Sequence, residues 1–152
     1  MSKVLNFDMD GTFVDLYGVD GWLDDLTNSR TRPYEIAKGL IDLRLFAILL
    51  NKAHRRGYTL NVITKTSRSG NNDYHERIKA AKLNWLTKHL PSVHFDNIFV
   101  IPYNANKADY AEGILFDDET NNCVQWGLSK AVNVSEHNFL EALKNIINSV
   151  EW

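Results

Sequence analysis

Val4-Leu5-Asn6-Phe7-Asp8-Met9-Asp10-Gly11-Thr12 is the stretch whose reading decides the fold. A mostly apolar run ends in two carboxylates one residue apart, followed at once by a glycine. Successive side chains of a strand alternate faces, so Asp8 and Asp10 are expected on one side and Met9 on the other. Gly11 lacks a Cβ and lets the chain turn sharply just beyond them. Two carboxylates on one side repel each other unless positive charge lies between them. An oxygen-only pair at a tight turn suits magnesium rather than zinc.

Working outward, the chain alternates strand-like and helix-like segments. Residues 16–33 are rich in Gly and Asp with weak periodicity, which predicts a loop or flap (about 13–33 in all) with one short helical turn. Residues 34–57 read as a single helix. Leu40, Leu43, Leu45, Phe46, Leu49, Leu50 and Ala53 form its apolar face, and Arg55-Arg56-Gly57 supply a cationic last turn and a stop. Residues 58–63 favour a strand, 64–73 a polar loop, and 74–90 a second helix burying Ile78, Ala81, Leu83, Trp85 and Leu86. Further strands are expected at 97–101, 113–116 and 131–134. Helices are expected at 119–126 and 136–150, the last capped by Ser135.

Such alternation predicts an α/β fold around a parallel sheet. In these sheets ligands bind off the carboxyl ends of the strands. Polar residues collect at those ends: Asp8 and Asp10 on the first strand, Thr64 on the second, Asp117 and Asp118 on the fourth.

Composition narrows the class. At 152 residues the chain has the length of one domain with a real core, and a 44% hydrophobic, 24% charged content suits a soluble globule. A net charge of −2 argues against gripping nucleic-acid backbone as its main business. The lone Cys123 excludes a disulfide framework and a cysteine metal cluster. The longest strongly apolar run, residues 45–50, is too short to span a membrane. Met1-Ser2-Lys3 leads straight into the first strand without a leader, so the expected location is the cytoplasm.

Asp8-Met9-Asp10-Gly11-Thr12 resembles the first motif of the haloacid dehalogenase-like phosphohydrolases. Three other segments match that superfamily's later motifs. They are the apolar strand ending in Thr64, Lys107 ten positions before Asp117, and Ile114-Leu115-Phe116-Asp117-Asp118. The resemblance implies a three-layer Rossmann-like sheet in strand order 5-4-1-2-3. It also implies a Mg²⁺-dependent phosphatase in which Asp8 is the nucleophile and Asp10 the general acid/base. Thr64, Lys65 and Lys107 would bind the phosphate. Asp8, Asp10 through its backbone carbonyl, and one of Asp117 or Asp118 would hold the metal.

From Thr64 onward the chain is most similar to the 5′(3′)-deoxyribonucleotidase-like branch, including Lys82 and Trp85 in the helix before the third strand. That branch implies a nucleotide substrate. The interval between the first two motifs is too short for its helical cap, which admits a polynucleotide end or a phosphoprotein instead. Phe13, Tyr17 and Trp22 are either packing residues, the favoured reading, or a stacking face for a base. A non-catalytic phosphate-binding protein is the remaining alternative, although binding alone does not require both Asp8 and Asp10.

Overall fold

A computed structural model describes residues 3–149. Five strands form one all-parallel sheet: β1 (Val4–Phe7), β2 (Thr59–Lys65), β3 (Asn97–Ile101), β4 (Ile114–Asp117) and β5 (Ala131–Asn133). Their spatial order, β3-β2-β1-β4-β5, is the expected one, and the architecture is a Rossmann-like three-layer fold. Between the strands run α1 (Trp22–Thr27), α2 (Arg32–Ile36), α3 (Leu43–Arg55), α4 (Asn72–His89) and α5 (Thr120–Trp126), with α6 (Phe139–Asn148) closing the chain. Stepping from β1 to β2 to β3 runs one way across the sheet and from β4 to β5 the other. Right-handed crossovers therefore set α3 and α4 against one face and α5 against the opposite one. Among the described residues no helix is long and apolar enough to cross a membrane.

The core lies directly beneath the acidic strand ends. Phe7 and Phe116, the residues preceding Asp8 and Asp117, stack with ring centroids 5.1 Å apart. Phe139 of α6 stacks on Phe116 at 5.2 Å, and Phe46 of α3 meets Phe7 edge-on at 5.5 Å. All three rings on the α3 and β-strand side are fully buried. Aromatic pairs at such spacings each contribute about 1 kcal/mol beyond area burial, and here they clamp β1 to β4 one residue short of the carboxylates.

A second device pins the register. Asn6, Asn61 and Asn97 lie side by side on β1, β2 and β3. Asn61 donates to the Asn6 Oδ1 at 3.0 Å, and Asn97 donates to the Asn61 Oδ1 at 3.0 Å. Asn6 in turn donates to the carbonyl of Glu112, just before β4. A one-residue slip of β2 would turn this ladder to the other face and bury amides without partners.

Three sequence expectations need correction. The helix expected over 34–57 is two helices, because residues 38–40 are extended against the chain after β1. Asp15 donates to the Lys38 carbonyl and Leu40 to the Phe13 carbonyl. Asp42 then caps α3 by accepting from the Leu45 amide. Of the expected apolar face, Phe46, Leu49, Leu50 and Ala53 are buried, whereas Leu40 and Leu45 are exposed. The flap carries two short helices rather than one turn, the second opened by Pro33 in its first turn. The last helix begins at Phe139 and is capped by Asn138, which accepts from the Glu141 amide, not by Ser135. Val150, the expected end of that helix, lies outside the described residues.

Asn61→Ala leaves the buried Asn6 carbonyl oxygen without its donor and removes an acceptor from Asn97. Chemical denaturation is expected to show a loss of about 2 kcal/mol.

Candidate active site

Asp8 follows β1 directly, and its amide donates to the Phe116 carbonyl, so the sheet ladder continues one step past the strand. Its carboxylate is nearly buried. Oδ1 accepts from Lys107 at 2.8 Å, and Oδ2 accepts from the Thr12 hydroxyl at 3.0 Å. Lys107 opens a short 3₁₀ turn, Lys107–Asp109, and is itself buried. It also donates to Asp117 Oδ2 at 2.8 Å. Burial alone would push its ammonium down, but Asp8 and Asp117 outweigh that and hold it above the usual lysine range.

Asp117, the last residue of β4, is fully enclosed. Besides Lys107, it accepts from the Asn122 amide at 3.1 Å and from the Glu119 backbone N–H at 3.0 Å. Asp118 is half-buried, and the Thr12 hydroxyl reaches its Oδ1 at 3.3 Å. Both carboxyls are pushed above the ordinary aspartate range, first by burial and then by the charge of Asp8. One oxygen from each of Asp8, Asp117 and Asp118 falls within 4.8 Å of the other two. Gly11 makes this convergence possible. Its φ is +81°, and a Cβ there would collide with the Asp118 carboxylate.

Asp10 behaves differently. Its carboxylate is not part of that trio; Oδ2 accepts from Lys82 of α4 at 2.8 Å. Burial raises the Asp10 pKa, and Lys82 partly offsets the rise. Asp8 and Asp10 nonetheless open onto one cavity of about 510 Å³, as the alternation along the first motif predicts.

One wall of the cavity is the flap, with Leu16, Tyr17, Trp22, Leu23, Leu26 and Tyr34. The other is the end of β2 and the chain beyond it, Lys65 to Ser69, together with Tyr103. Tyr17 and Trp22 form an edge-to-face pair at 4.9 Å on this wall, whereas Phe13 is wholly in the core, packed on Phe46 and Trp85. Burial, followed by the nearby carboxylates, raises the phenols of Tyr17 and Tyr34, so both remain protonated donors.

The remaining expected residues divide. Lys65 lines the cavity, donating to Asn122 Oδ1 at 3.1 Å beneath the Tyr103 ring. Thr64 does not line it. The hydroxyl of Thr64 is fully buried and accepts from Lys82. Two residues on, Thr66 does reach the cavity, and its enclosed hydroxyl oxygen has no hydrogen-bond partner among the described residues.

Sequence reasoning assigned no site role to Thr66, Thr12, Asn122 or Lys82. The Lys82 signal was present. Ile78, Lys82, Trp85 and Leu86 share one helical face, so a lysine falls on the buried stripe, where it must find acidic or carbonyl partners.

Four aspartates face two lysines here, and Asp118→Asn removes the half-buried acid that has no lysine partner. In EDTA the melting temperature of this variant is expected to exceed that of the wild type by differential scanning calorimetry.

No protein-family model matches the chain, and no similar sequence is found among curated proteins.

Proposed function

We propose that this protein is a Mg²⁺-dependent phosphomonoester hydrolase that works through an aspartyl-phosphate on Asp8. The observation that carries the reading is the charge gathered around Asp8 and Asp10, which line the cavity. Among the described residues Lys107 contacts Asp8 and Asp117 and Lys82 contacts Asp10, while no cation lies within ion-pair distance of Asp118, so four carboxyl groups gather around two ammonium groups, a surplus of up to two negative charges. A divalent cation cancels that surplus, and the converging donors are all carboxylate oxygens, the chemistry of a hard ion.

Asp8 and Asp118 are the side chains we assign to the metal. Asp117 has its oxygens engaged by Lys107, Asn122 and the Glu119 amide, and its part is to hold Lys107 against Asp8. A bound Mg²⁺ would supply positive charge between Asp8 and the phosphate dianion.

The residues then divide the work. An Asp8 carboxylate oxygen attacks phosphorus, and the bond from phosphorus to the ester oxygen breaks. Asp10, protonated at this stage, gives its proton to the departing alkoxide. The resulting Asp10 carboxylate takes a proton from water, whose oxygen attacks phosphorus and expels the Asp8 carboxylate together with inorganic phosphate. Lys107 neutralises Asp8 throughout. Lys65, which lines the cavity beside Asp8, is the side chain that meets the phosphoryl oxygens, whereas the Thr64 and Thr66 hydroxyls are both enclosed.

The cavity favours a small substrate over a polynucleotide end or a phosphoprotein. Its volume falls in the roughly 300–1,000 Å³ range of small-molecule sites. The Tyr17–Trp22 pair offers an apolar wall for a flat leaving group such as a nucleoside.

Hydrolysis of p-nitrophenyl phosphate in Mg²⁺ tests the reaction. EDTA is expected to abolish it and Mg²⁺ to restore it. Asp8→Asn is expected to lose roughly a thousandfold or more with an unchanged circular dichroism spectrum; substantial residual turnover refutes the nucleophile assignment. A panel of deoxynucleoside monophosphates, phosphorylated oligonucleotide ends and phosphopeptides tests the substrate. The monophosphates are expected to give the highest kcat/KM.

A further inference from the structure

Lys82 stands out once the first-motif aspartates are compared. Asp8 is held by Lys107, which reaches it from the loop before β4. Asp10 is held by a different lysine, from the middle of α4. Only about 1% of Lys82 is exposed, an unusual environment for a lysine on a surface helix. Each proton of its ammonium has an acceptor: Asp10 Oδ2 at 2.8 Å, the Lys65 carbonyl at 2.8 Å, and the Thr64 hydroxyl. The Tyr34 ring of the flap lies 5.3 Å from the same nitrogen. Four pieces of chain thus meet at one charge: the first-motif turn, the end of β2, the flap and α4.

This arrangement is not that of a phosphate ligand. Lys82 does not line the cavity, and no proton of its ammonium is left for a substrate oxygen. Nor is it a structural filler, because an apolar residue would fill the same space without desolvating an ammonium. What the three bonds specify is direction. With Oδ2 anchored, the Asp10 carboxyl group cannot rotate freely, and because Asp10 lines the cavity its other oxygen is the one free to serve it.

We infer that Lys82 is a positioning residue: it fixes the Asp10 carboxyl group so that its free oxygen faces the leaving group, and it ties that geometry to the end of β2. The inference rests on the phosphatase reading above for what Asp10 does, though not for the contact itself. Protonation of the leaving group matters greatly for an alkyl phosphate and little for an aryl phosphate, whose phenolate departs readily. Misaligning Asp10 therefore penalises the two substrates unequally.

The test is Lys82→Met, which keeps length and removes charge, assayed with an alkyl and an aryl phosphate. The kcat for the alkyl ester is expected to fall about a hundredfold and that for p-nitrophenyl phosphate about tenfold less than this, with KM for both nearly constant. In an Asp10→Asn background, Lys82→Met is expected to cost little more on the alkyl ester. Equal losses on both esters, or full additivity with Asp10→Asn, overturns the inference while leaving the phosphatase reading intact.

A second readout needs no turnover. An ammonium held by three acceptors exchanges its protons slowly and gives a ¹H–¹⁵N signal, assigned in the wild type by through-bond correlation along the Lys82 side chain. Asp10→Asn is expected to shift that signal. A signal indifferent to Asp10 overturns the inference even where Lys82→Met fails to fold. Should the wild type hydrolyse no phosphomonoester, the phosphatase reading fails, and the coupling of Lys82 to Asp10 is still decided by this spectrum.

Discussion

Negative charge gathered at the carboxyl ends of two adjacent strands is the constraint on which the rest of the structure depends. Carboxylates buried together raise one another's pKa and cost stability. The fold tolerates them by bringing a lysine to Asp8 and Asp117 from the loop before β4, and another to Asp10 from α4. Neither lysine comes from the strands that carry the acids, so the charges balance only when the sheet is assembled with α4 and that loop in place. The acids still outnumber the lysines, and they gather around Asp8, which lines the cavity.

Holding such a cluster demands stiff strands beneath it. The aromatic stack grips β1 and β4 through Phe7 and Phe116, each one residue before its aspartate. Because side chains alternate, anchoring those rings in the core directs Asp8 and Asp117 to the other face, where Lys107 joins them. The asparagine ladder performs the same service sideways, setting β2 and β3 against β1 so that the end of β2 meets Asp10 through Lys82. Apolar packing fixes the direction of the acids, and a buried polar ladder fixes their register.

Much of this was legible in the sequence because it depends on local alternation. A strand delivering Asp8 toward a glycine turn, a second delivering Asp117 and Asp118, and a lysine at fixed spacing before them are readable from neighbours in the chain. The strand order came with the family resemblance and agrees with the sheet. The errors fall where distant segments compete with local preference. Leucines recur with helical spacing from Leu40 through Leu50, yet the Leu40 amide is claimed by the Phe13 carbonyl, which draws residues 38–40 into extended pairing. Thr64 looked like the end of β2, but the strand runs on through Lys65. The cavity lining on this side therefore begins at Lys65 and Thr66, not at Thr64. Lys82 went unassigned because the partner of a buried lysine, here 72 residues away in sequence, is invisible to any periodicity.

The flap bears on what such a site can admit. Its short length suggested an open pocket, yet it is fastened at several points. Asp25 is buried between Arg30 and Arg32, whose hydrogen bonds hold its carboxyl below the usual range. The Tyr74 hydroxyl of α4 donates to the Arg30 carbonyl at 2.9 Å, and the Trp85 indole donates to the Ala37 carbonyl at 2.7 Å. Leu16 and Tyr34 pack with Tyr74, Ile78 and Ala81 in a small core of their own, beside the main one. A lid that hinges would need few such ties to the body it covers. This flap is instead a wall built onto α4, the helix that also supplies Lys82, so the cavity boundary and the orientation of Asp10 are set by one element. A flap fastened that way gives the cavity a preformed shape without closure, so its finite volume, more than the brevity of the flap, bounds what the cavity can hold.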